Sequence, residues 1–285
     1  MDTIKNRLLS IARRLADASV ALPTVQAVAL TGSAATGNAD ESSDIDLIVL
    51  HTALPERAAL NEIRVQVNGS ERLYSSSMRD TARGKEGYFV DGIRCDLSHL
   101  TLAALEDDLA LVLEVHSTDA HAQSRVAGIQ NCLPLFGDSL ISELQRKAAH
   151  YPAELRRKMV ETHLSFQPFW VLTEMGAGRG DLLFLYQSLV DAEKAVLGVL
   201  CGLNSVYLPG DFKRTGSLAA RLLIAPENLA ARLNAVFQLA PRDAAEEIGT
   251  LIRETFTLIE QQMPKISTIW PRRWFDLPRT DLEQQ

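Results

Sequence analysis

The sequence is poor in cysteine, and this excludes two kinds of site. Its 285 residues contain only Cys95, Cys132 and Cys201, an odd number at wide intervals. No Cys-x-x-Cys pair occurs, so the sequence indicates neither a structural zinc site nor a disulfide framework. The three side chains are expected to be reduced, mostly buried thiols of a cytoplasmic protein.

Long apolar runs and an excess of positive charge are missing as well. No run of 18 apolar residues occurs, and the first 20 residues lack the apolar centre of a signal peptide, so we expect no membrane span. The net charge is −7, which is unlike the basic footprint of a protein that binds duplex nucleic acid. A nucleotide substrate is still allowed, because a bound metal ion can reverse the local sign of charge.

The composition is that of a globular protein with a substantial core. Residues of the hydrophobic class make up 46% and charged residues 23%, which are ordinary values for a folded chain. Strand patterns occur only before residue 140, and helical patterns follow it. We therefore expect an α/β (α+β) chain with a mixed-sheet domain at 1–140 and a helical bundle domain at 141–285.

The N-terminal part is predicted to mix helices and strands. An amphipathic helix fits residues 4–19, and short β-branched strands fit 25–32 and 44–50. Residues 34–43 are small and polar, which indicates a loop. The Asp91-Gly92 pair predicts a hairpin within 87–99, Thr101 is a candidate N-cap for a helix over 101–115, and 129–136 fits a last strand.

The C-terminal part is predicted to be helical throughout. Short breaks with Gly, Pro or Asn separate segments whose apolar residues recur with a helical period. The predicted helices are 140–149, 152–175, 180–204, 215–224, 226–238 and 241–262.

The most informative stretch is Gly32-Ser33 followed ten residues later by Asp44-Ile45-Asp46. Side chains alternate along a strand, so Asp44 and Asp46 project from one face, about 7 Å apart. Two carboxylates there repel each other unless a cation lies between them. Oxygen ligands alone favour Mg²⁺ or Mn²⁺ over zinc.

Gly32 and Ser33 stand where the preceding strand ends. Glycine lets the backbone approach a ligand closely, and backbone N–H groups with the Ser33 hydroxyl can hold phosphate oxygens. A phosphate-binding turn beside a pair of metal-binding aspartates suits phosphoryl or nucleotidyl transfer.

A third carboxylate is expected on a neighbouring strand, and the hairpin offers two candidates. Asp96 lies mid-strand, on the face that also carries Arg94, and a simple ion pair with Arg94 is the ordinary alternative for it. Asp91 lies in the Asp-Gly turn, where aspartate has a common structural role. Asp96 is therefore the preferred third acid.

The pattern Gly-Ser-x10-Asp-x-Asp, with a further Asp on a hairpin strand about 50 residues later, resembles the DNA polymerase β-like nucleotidyltransferase superfamily. The stretch LTGSAATGNADESSDIDLIVL is similar to the small bacterial nucleotidyltransferases of the aminoglycoside and lincosamide type and to the minimal ones paired with HEPN proteins. The resemblance is strong over residues 27–50, fair at 87–99 and weaker over the helical part. Together these stretches cover about two-thirds of the chain.

This resemblance implies an enzyme that uses ATP or another NTP with two Mg²⁺ ions at the edge of a mixed sheet. Asp44 and Asp46 would bind both ions, and Asp96 one of them. These three residues are the expected catalytic and metal-binding set, and Gly32 and Ser33 the expected nucleotide-binding turn.

The helical part is implied to contribute further contacts to phosphates or acceptor. In the family, basic residues of this part lie near the triphosphate. The candidates are Lys194, Lys213 and Asp181, with Arg179 and Asp191 as further ones; for each of them a solvated charge on a helix face is the ordinary alternative.

Two other motifs have competing interpretations. Arg157 and His163 match the loose R-x5-H spacing of HEPN ribonucleases, but a helix-packing role for His163 is favoured because five or six residues do not share a helix face. The aromatic cluster at 269–275 is expected to pin the chain end to the core, with a stacking platform or dimer contact as the alternative.

The expected function is transfer of a nucleoside monophosphate to the hydroxyl of a small molecule, with an aminoglycoside-like acceptor as the best choice. The alternatives are the same reaction on a protein or RNA, as in toxin–antitoxin modules, and a non-catalytic nucleotide-binding module. The expected partners are the NTP and the small-molecule acceptor. Binding to a membrane or to duplex nucleic acid is not expected, and a homodimer is an alternative to a monomer.

Overall fold

The computed structural model describes residues 2–76 and 81–279. Its strands are β1 (Val25–Thr31), β2 (Ile45–His51), β3 (Tyr74–Ser75), β4 (Arg83–Val90), β5 (Ile93–Thr101) and β6 (Leu133–Phe136). Its helices are α1 (Asp2–Val20), α2 (Gly32–Thr36), α3 (Arg57–Gln66), α4 (Leu102–Leu113), α5 (Ala120–Gln130), α6 (Asp138–Ala148), α7 (Ala153–His163), α8 (Leu182–Asn204), α9 (Thr215–Ala219), α10 (Leu229–Val236), α11 (Pro241–Gln262) and α12 (Ile269–Phe275).

The strands form one mixed sheet in the order β3-β4-β5-β2-β1-β6. The central pair β2–β5 is parallel, and every other neighbouring pair is antiparallel. The Asp91-Gly92 turn joins β4 to β5 with positive φ angles of 51° and 77°, the backbone that suits a two-residue hairpin. The fold class is thus the mixed α/β sheet with a helical C-terminal region that the sequence predicts.

The core of the sheet domain lies on one face of the central strands. Ile45, Leu47 and Val49 of β2 are buried there with apolar residues of α1 and α3. The alternate residues of β2, Asp46 and Ile48, are only partly buried. This alternation turns the Asp46 side chain away from the core, as a half-buried strand requires.

Chain contacts divide the molecule into two compact units. The N-terminal unit comprises residues 1–115 and 124–150, and the C-terminal unit comprises residues 116–123 and 151–285. Helix α6 belongs to the N-terminal unit. Among the helices of the described ranges, none combines the length and apolar character needed to cross a bilayer.

The C-terminal unit is built around the long helix α8. Many of its apolar residues, among them Val196 and Leu200, are fully buried, and α7 and α11 pack against it. The close approach of α7 to α8 depends on glycine, because a Cβ at Gly202 would come within 2.9 Å of the Met159 Cβ on α7. Helical packing therefore stabilises this unit, which has no strand up to residue 279.

Four predicted elements differ from the observed ones. The strand predicted over 129–136 is shorter, because α5 extends to Gln130 and β6 begins at Leu133. The loop predicted at 34–43 begins with the last residues of α2. The single helix predicted over 152–175 ends at His163, and a π-helical segment, Val171–Ala177, follows Pro168, whose ring cannot continue a helix. The helix predicted over 215–224 ends at Ala219.

Candidate active site

Three aspartates meet at the junction of β2 and β5. Asp44 immediately precedes β2, Asp46 lies on it, and Asp46 is the direct neighbour of Asp96 in the parallel pair. Carboxylate oxygens of the three residues lie within 4.8 Å of one another, and all three side chains are half-buried. The structure therefore brings together the three acids that the sequence singled out.

Gly32 brings the end of β1 onto this cluster. Its φ angle is +68°, and a Cβ built on it would overlap the Asp46 Oδ2 and lie 3.3 Å from the Asp46 Cγ. Both the backbone conformation and the space thus require glycine here. The backbone after β1 passes directly against a carboxylate of the cluster.

Ser33 is held by the loop that leads to the acids. Its hydroxyl donates to the Ser43 Oγ at 3.1 Å, and the Ser43 hydroxyl donates to the Asp40 Oδ1 at 3.0 Å. The Asp40 backbone N–H closes this arrangement by donating to the Ser43 Oγ at 2.8 Å. The ten residues between the Gly-Ser pair and Asp44 thus form a structured turn that positions the Ser33 hydroxyl.

Asp96 is held by Arg94 and lies close to Tyr74. Arg94 donates from Nε to the Asp96 Oδ1 at 3.0 Å and from Nη2 to the Asp96 Oδ2 at 2.9 Å. The same guanidinium lies 5.9 Å from the centre of the Tyr74 ring. Burial and the adjacent Asp96 carboxylate raise the pKa of Tyr74 to about 12, so its hydroxyl stays a hydrogen-bond donor. Asp96 therefore does form the ion pair with Arg94 that was its ordinary alternative role, and it is also a member of the acidic cluster.

Gly87 makes room for this arrangement. It is paired with Asp96 on one side and with Tyr74 on the other. A Cβ at Gly87 would lie 2.9 Å from the Asp96 Oδ1 and 2.8 Å from the Tyr74 Cζ. The missing side chain lets the Tyr74 ring lie across β4 and approach Asp96.

The donor set of the cluster fits a hard divalent cation. Carboxylate oxygens are the ligands that Mg²⁺ and Mn²⁺ prefer, and the cluster contains neither thiolate nor imidazole. A cation between the three carboxylates would offset their mutual repulsion, as Arg94 does at Asp96.

Asp91, the competing candidate for the third acid, lies elsewhere. It occupies the hairpin turn, its carbonyl oxygen accepts from the Arg7 Nη2 at 2.6 Å, and its carboxylate forms an ion pair with Arg14. Its contacts are therefore those of a turn residue bound to α1.

The candidates from the helical part all lie in the C-terminal unit. Asp181 is the N-cap of α8 and accepts from the Phe184 N–H at 3.2 Å. Lys213 is exposed and lies 3.5 Å from an Asp211 carboxylate oxygen. Lys194 lines a cavity that also contains Glu193.

The R-x5-H pair does not form a site in the structure. Arg157 forms ion pairs with Glu154 and Glu161 on its own helix. His163 packs against α8 so closely that a Cβ at Gly198 would overlap its ring. His163 is thus a helix-packing residue, and burial lowers its pKa.

Sequence reasoning missed Tyr74 and Gly87. Strand β3 has only two residues, too few to produce a periodic pattern. Gly87 was within reach, because a two-residue turn at Asp91-Gly92 fixes the register that pairs it with Asp96.

Comparison with known proteins agrees with this geometry. Residues 10–121 match the family model described as a nucleotidyltransferase domain, and no curated protein matches the sequence. A solved structure of a nucleotidyltransferase-like protein from Exiguobacterium sibiricum 255-15 is 14% identical, with 85% of this chain and 70% of that chain covered and a TM-score of 0.30. The likeness to that structure is slight, so the assignment rests on the domain match and on the three acids. Residues 10–121 therefore carry a nucleotidyltransferase domain, and the three clustered acids all lie within it.

Proposed function

We propose that the enzyme transfers a nucleoside monophosphate from an NTP, ATP in the first place, to a hydroxyl of a small aminoglycoside-like molecule in a Mg²⁺-dependent reaction. The observation that carries the proposal is the meeting of Asp44, Asp46 and Asp96, with carboxylate oxygens within 4.8 Å of one another. The bond formed joins the acceptor oxygen to the α-phosphorus. The bond broken is the one between the α-phosphorus and the oxygen that leads to the β-phosphate, so pyrophosphate leaves. The acceptor hydroxyl loses its proton.

Asp44, Asp46 and Asp96 would hold the metal ions. Mg²⁺ at this site would supply positive charge for the phosphate oxygens and would lower the pKa of the attacking hydroxyl. Arg94 and Tyr74 orient the Asp96 carboxylate before substrate arrives, which reduces the reorganisation needed at the moment of reaction.

The turn after β1 is proposed to hold the phosphates. Gly32 places backbone directly beside Asp46, and the Ser33 hydroxyl is positioned by Ser43. Backbone N–H groups and a fixed hydroxyl next to the acids suit the binding of phosphate oxygens. Lys194 and Lys213 remain candidates for further contacts with the triphosphate, and Asp181 for a contact with either substrate.

A cavity in the C-terminal unit supports an aminated acceptor. Its volume is about 240 Å³, and Phe212, Phe237 and Glu193 are among its lining residues. The buried Glu193 Oε1 has no hydrogen-bond partner among the described residues, and burial raises its pKa to about 7. An ammonium group would pair with this carboxylate and lie against aromatic rings.

Mass spectrometry of the acceptor tests the proposal. The enzyme is incubated with Mg²⁺, each of the four NTPs and a panel of aminoglycosides and lincosamides. We expect one acceptor class to gain the mass of one nucleoside monophosphate. Labelling of a co-purified protein or RNA, with every small molecule unmodified, would instead establish a macromolecular acceptor.

We propose a cytoplasmic location because the three cysteines form no disulfide. Cys95, Cys132 and Cys201 are free and buried. This is consistent with the cytoplasmic enzyme that we propose, since disulfides are rare in that compartment.

A further inference from the structure

A second polar cluster lies in the N-terminal unit on the sheet face opposite to the acids. Glu86 and His99 are at positions of β4 and β5 that alternate with those of Gly87 and Asp96, so their side chains point the other way. Both are 2% exposed. They line a cavity of about 190 Å³ that the start of α3 also borders.

The cluster is a continuous chain of polar contacts. Arg72 donates from Nε to the Glu86 Oε2 at 2.6 Å, and the Glu86 Oε1 lies 3.5 Å from the His99 Nε2. The His99 Nδ1 lies 3.0 Å from the His51 Nε2, and the His51 Nδ1 lies 3.1 Å from the Thr24 Oγ1. Five residues from separate segments are thus fixed around one buried carboxylate.

The charge states within the cluster follow from these neighbours. Burial opposes the charged form of Glu86, but His99 and then Arg72 outweigh it and hold the pKa of Glu86 below its ordinary value. Glu86 is therefore a carboxylate, which can only accept, so the His99 Nε2 that faces it is assigned as the donor. Burial and the neighbouring His99 lower the pKa of His51 to about 3, so His51 is neutral.

Three buried atoms of this cluster make no hydrogen bond of ordinary geometry among the described residues. They are the Arg72 Nη2, the Glu86 Oε1 and the His99 Nε2. The last two face each other at 3.5 Å, and all three residues line the cavity. Two of these atoms are donors and one is an acceptor. Leaving such groups unsatisfied in the interior is costly, and native structures rarely do so.

A neutral hydroxyl complements this set, whereas a charged group does not. A hydroxyl oxygen can accept from Arg72 and His99 while its proton is donated to Glu86. At the polar end of the cavity, a ligand carboxylate would be repelled by Glu86 and a ligand ammonium by Arg72. Leu54, Pro55 and Leu60 give the wall an apolar surface, and Ser75, Ser76, Arg57 and Lys85 also line it.

We propose that this cavity binds a small, neutral ligand with an apolar body and one hydroxyl group, seated on Arg72, Glu86 and His99. Apolar cavities of about 150 Å³ are known to accept a benzene ring, so the cavity has room for a single ring. The site would be separate from the three aspartates and independent of the transfer reaction.

Binding of four seven-carbon probes tests the proposal on the full chain. The probes are benzyl alcohol, toluene, benzoate and benzylammonium, followed by ligand-observed NMR and calorimetric titration. We expect benzyl alcohol to bind at least about tenfold more tightly than each of the others, because only it satisfies donors and acceptor together. Equal binding of toluene or of a charged probe overturns the proposal, and so does binding of none, which would mean that the cavity holds water only.

A pair of glycine substitutions locates the binding. An ideal Cβ at Gly84 would lie 3.9 Å from the His99 Cβ and 4.0 Å from the Leu54 Cδ1, so Gly84→Leu would fill the cavity and keep the polar chain. A Cβ at Gly128 would meet nothing within 4 Å, so Gly128→Leu is the matched control. We expect Gly84→Leu to abolish benzyl alcohol binding and Gly128→Leu to preserve it; unchanged binding in Gly84→Leu contradicts the assignment. If Gly84→Leu does not fold, Gly84→Ala must weaken binding for the assignment to stand.

Discussion

At the scale of single residues, two glycines shape the active site as much as the aspartates do. A Cβ at Gly32 would overlap the Asp46 carboxylate, and a Cβ at Gly87 would come within 2.9 Å of the Asp96 Oδ1. The acids can therefore converge only because backbone without side chains lies beside them.

Gly32→Ala is expected to lower kcat/KM by about a hundredfold, because it displaces the Asp46 carboxylate and small displacements of catalytic groups are that costly. Gly37→Ala is the matched control, since Gly37 also has a positive φ, +79°, but no atom within 4 Å of its ideal Cβ. The two variants should lose similar stability and differ in steady-state kinetics. Similar activities in both would show that Gly32 has no role beyond its backbone conformation.

Arg94→Gln is expected to tighten Mn²⁺ binding by about two- to fivefold, measured by electron paramagnetic resonance. Arg94 binds both oxygens of Asp96, and its positive charge opposes the binding of a cation at the same carboxylate. The factor is modest because the pair is partly exposed and such pairs contribute about 0.2–1 kcal/mol. Arg14→Gln, which removes a similarly exposed ion pair at Asp91, should leave Mn²⁺ affinity unchanged; weaker binding in Arg94→Gln would contradict this account.

At the scale of elements, the β4–β5 hairpin supplies the third acid. The two-residue turn pairs Val90 with Ile93 and therefore Gly87 with Asp96. The parallel pairing of β2 with β5 then sets Asp96 beside Asp46. A slip of one residue in either register would turn Asp96 to the core face and remove it from the cluster.

Two substitutions of Asp181, at the N-terminus of α8, distinguish a structural role of this residue from a role in substrate binding. Because Asp181 caps α8, Asp181→Ala should destabilise the protein by about 1 kcal/mol. Asp181→Asn keeps a capping oxygen and should restore the melting temperature. A loss of activity in Asp181→Asn at normal stability would show that the charge contacts a substrate.

At the scale of the whole molecule, much of the architecture follows from periodicity. Apolar alternation predicts β2 and its half-buried acids, and the Asp-Gly turn predicts the hairpin with Asp96. The break after His163 was missed because a helical pattern continues past Pro168. The Glu86–His99 cluster was missed because strand alternation predicts only that these two positions are buried. Their hydrogen-bond partners lie on segments that are distant in the sequence.

The stability of the C-terminal unit should depend on pH through Glu193. Burial raises the pKa of Glu193 to about 7 in the folded protein, above its ordinary value. The folded state therefore holds this proton more tightly than the unfolded state, and the stabilisation present in acid is lost as the pH rises through about 7. Calorimetry should show Glu193→Gln and the wild type melting alike near pH 5, and the variant melting higher at pH 8. A constant difference across that range would contradict the raised pKa.

The central claim is that the three aspartates form a nucleotidyl-transfer site, and pyrophosphate release tests it most directly. Release is measured with Mg²⁺, each NTP and the aminoglycoside and lincosamide panel, for the wild type and for the Asp44→Asn/Asp46→Asn double variant. The account predicts acceptor-dependent release by the wild type and none by the folded double variant. Equal release by both proteins would contradict it.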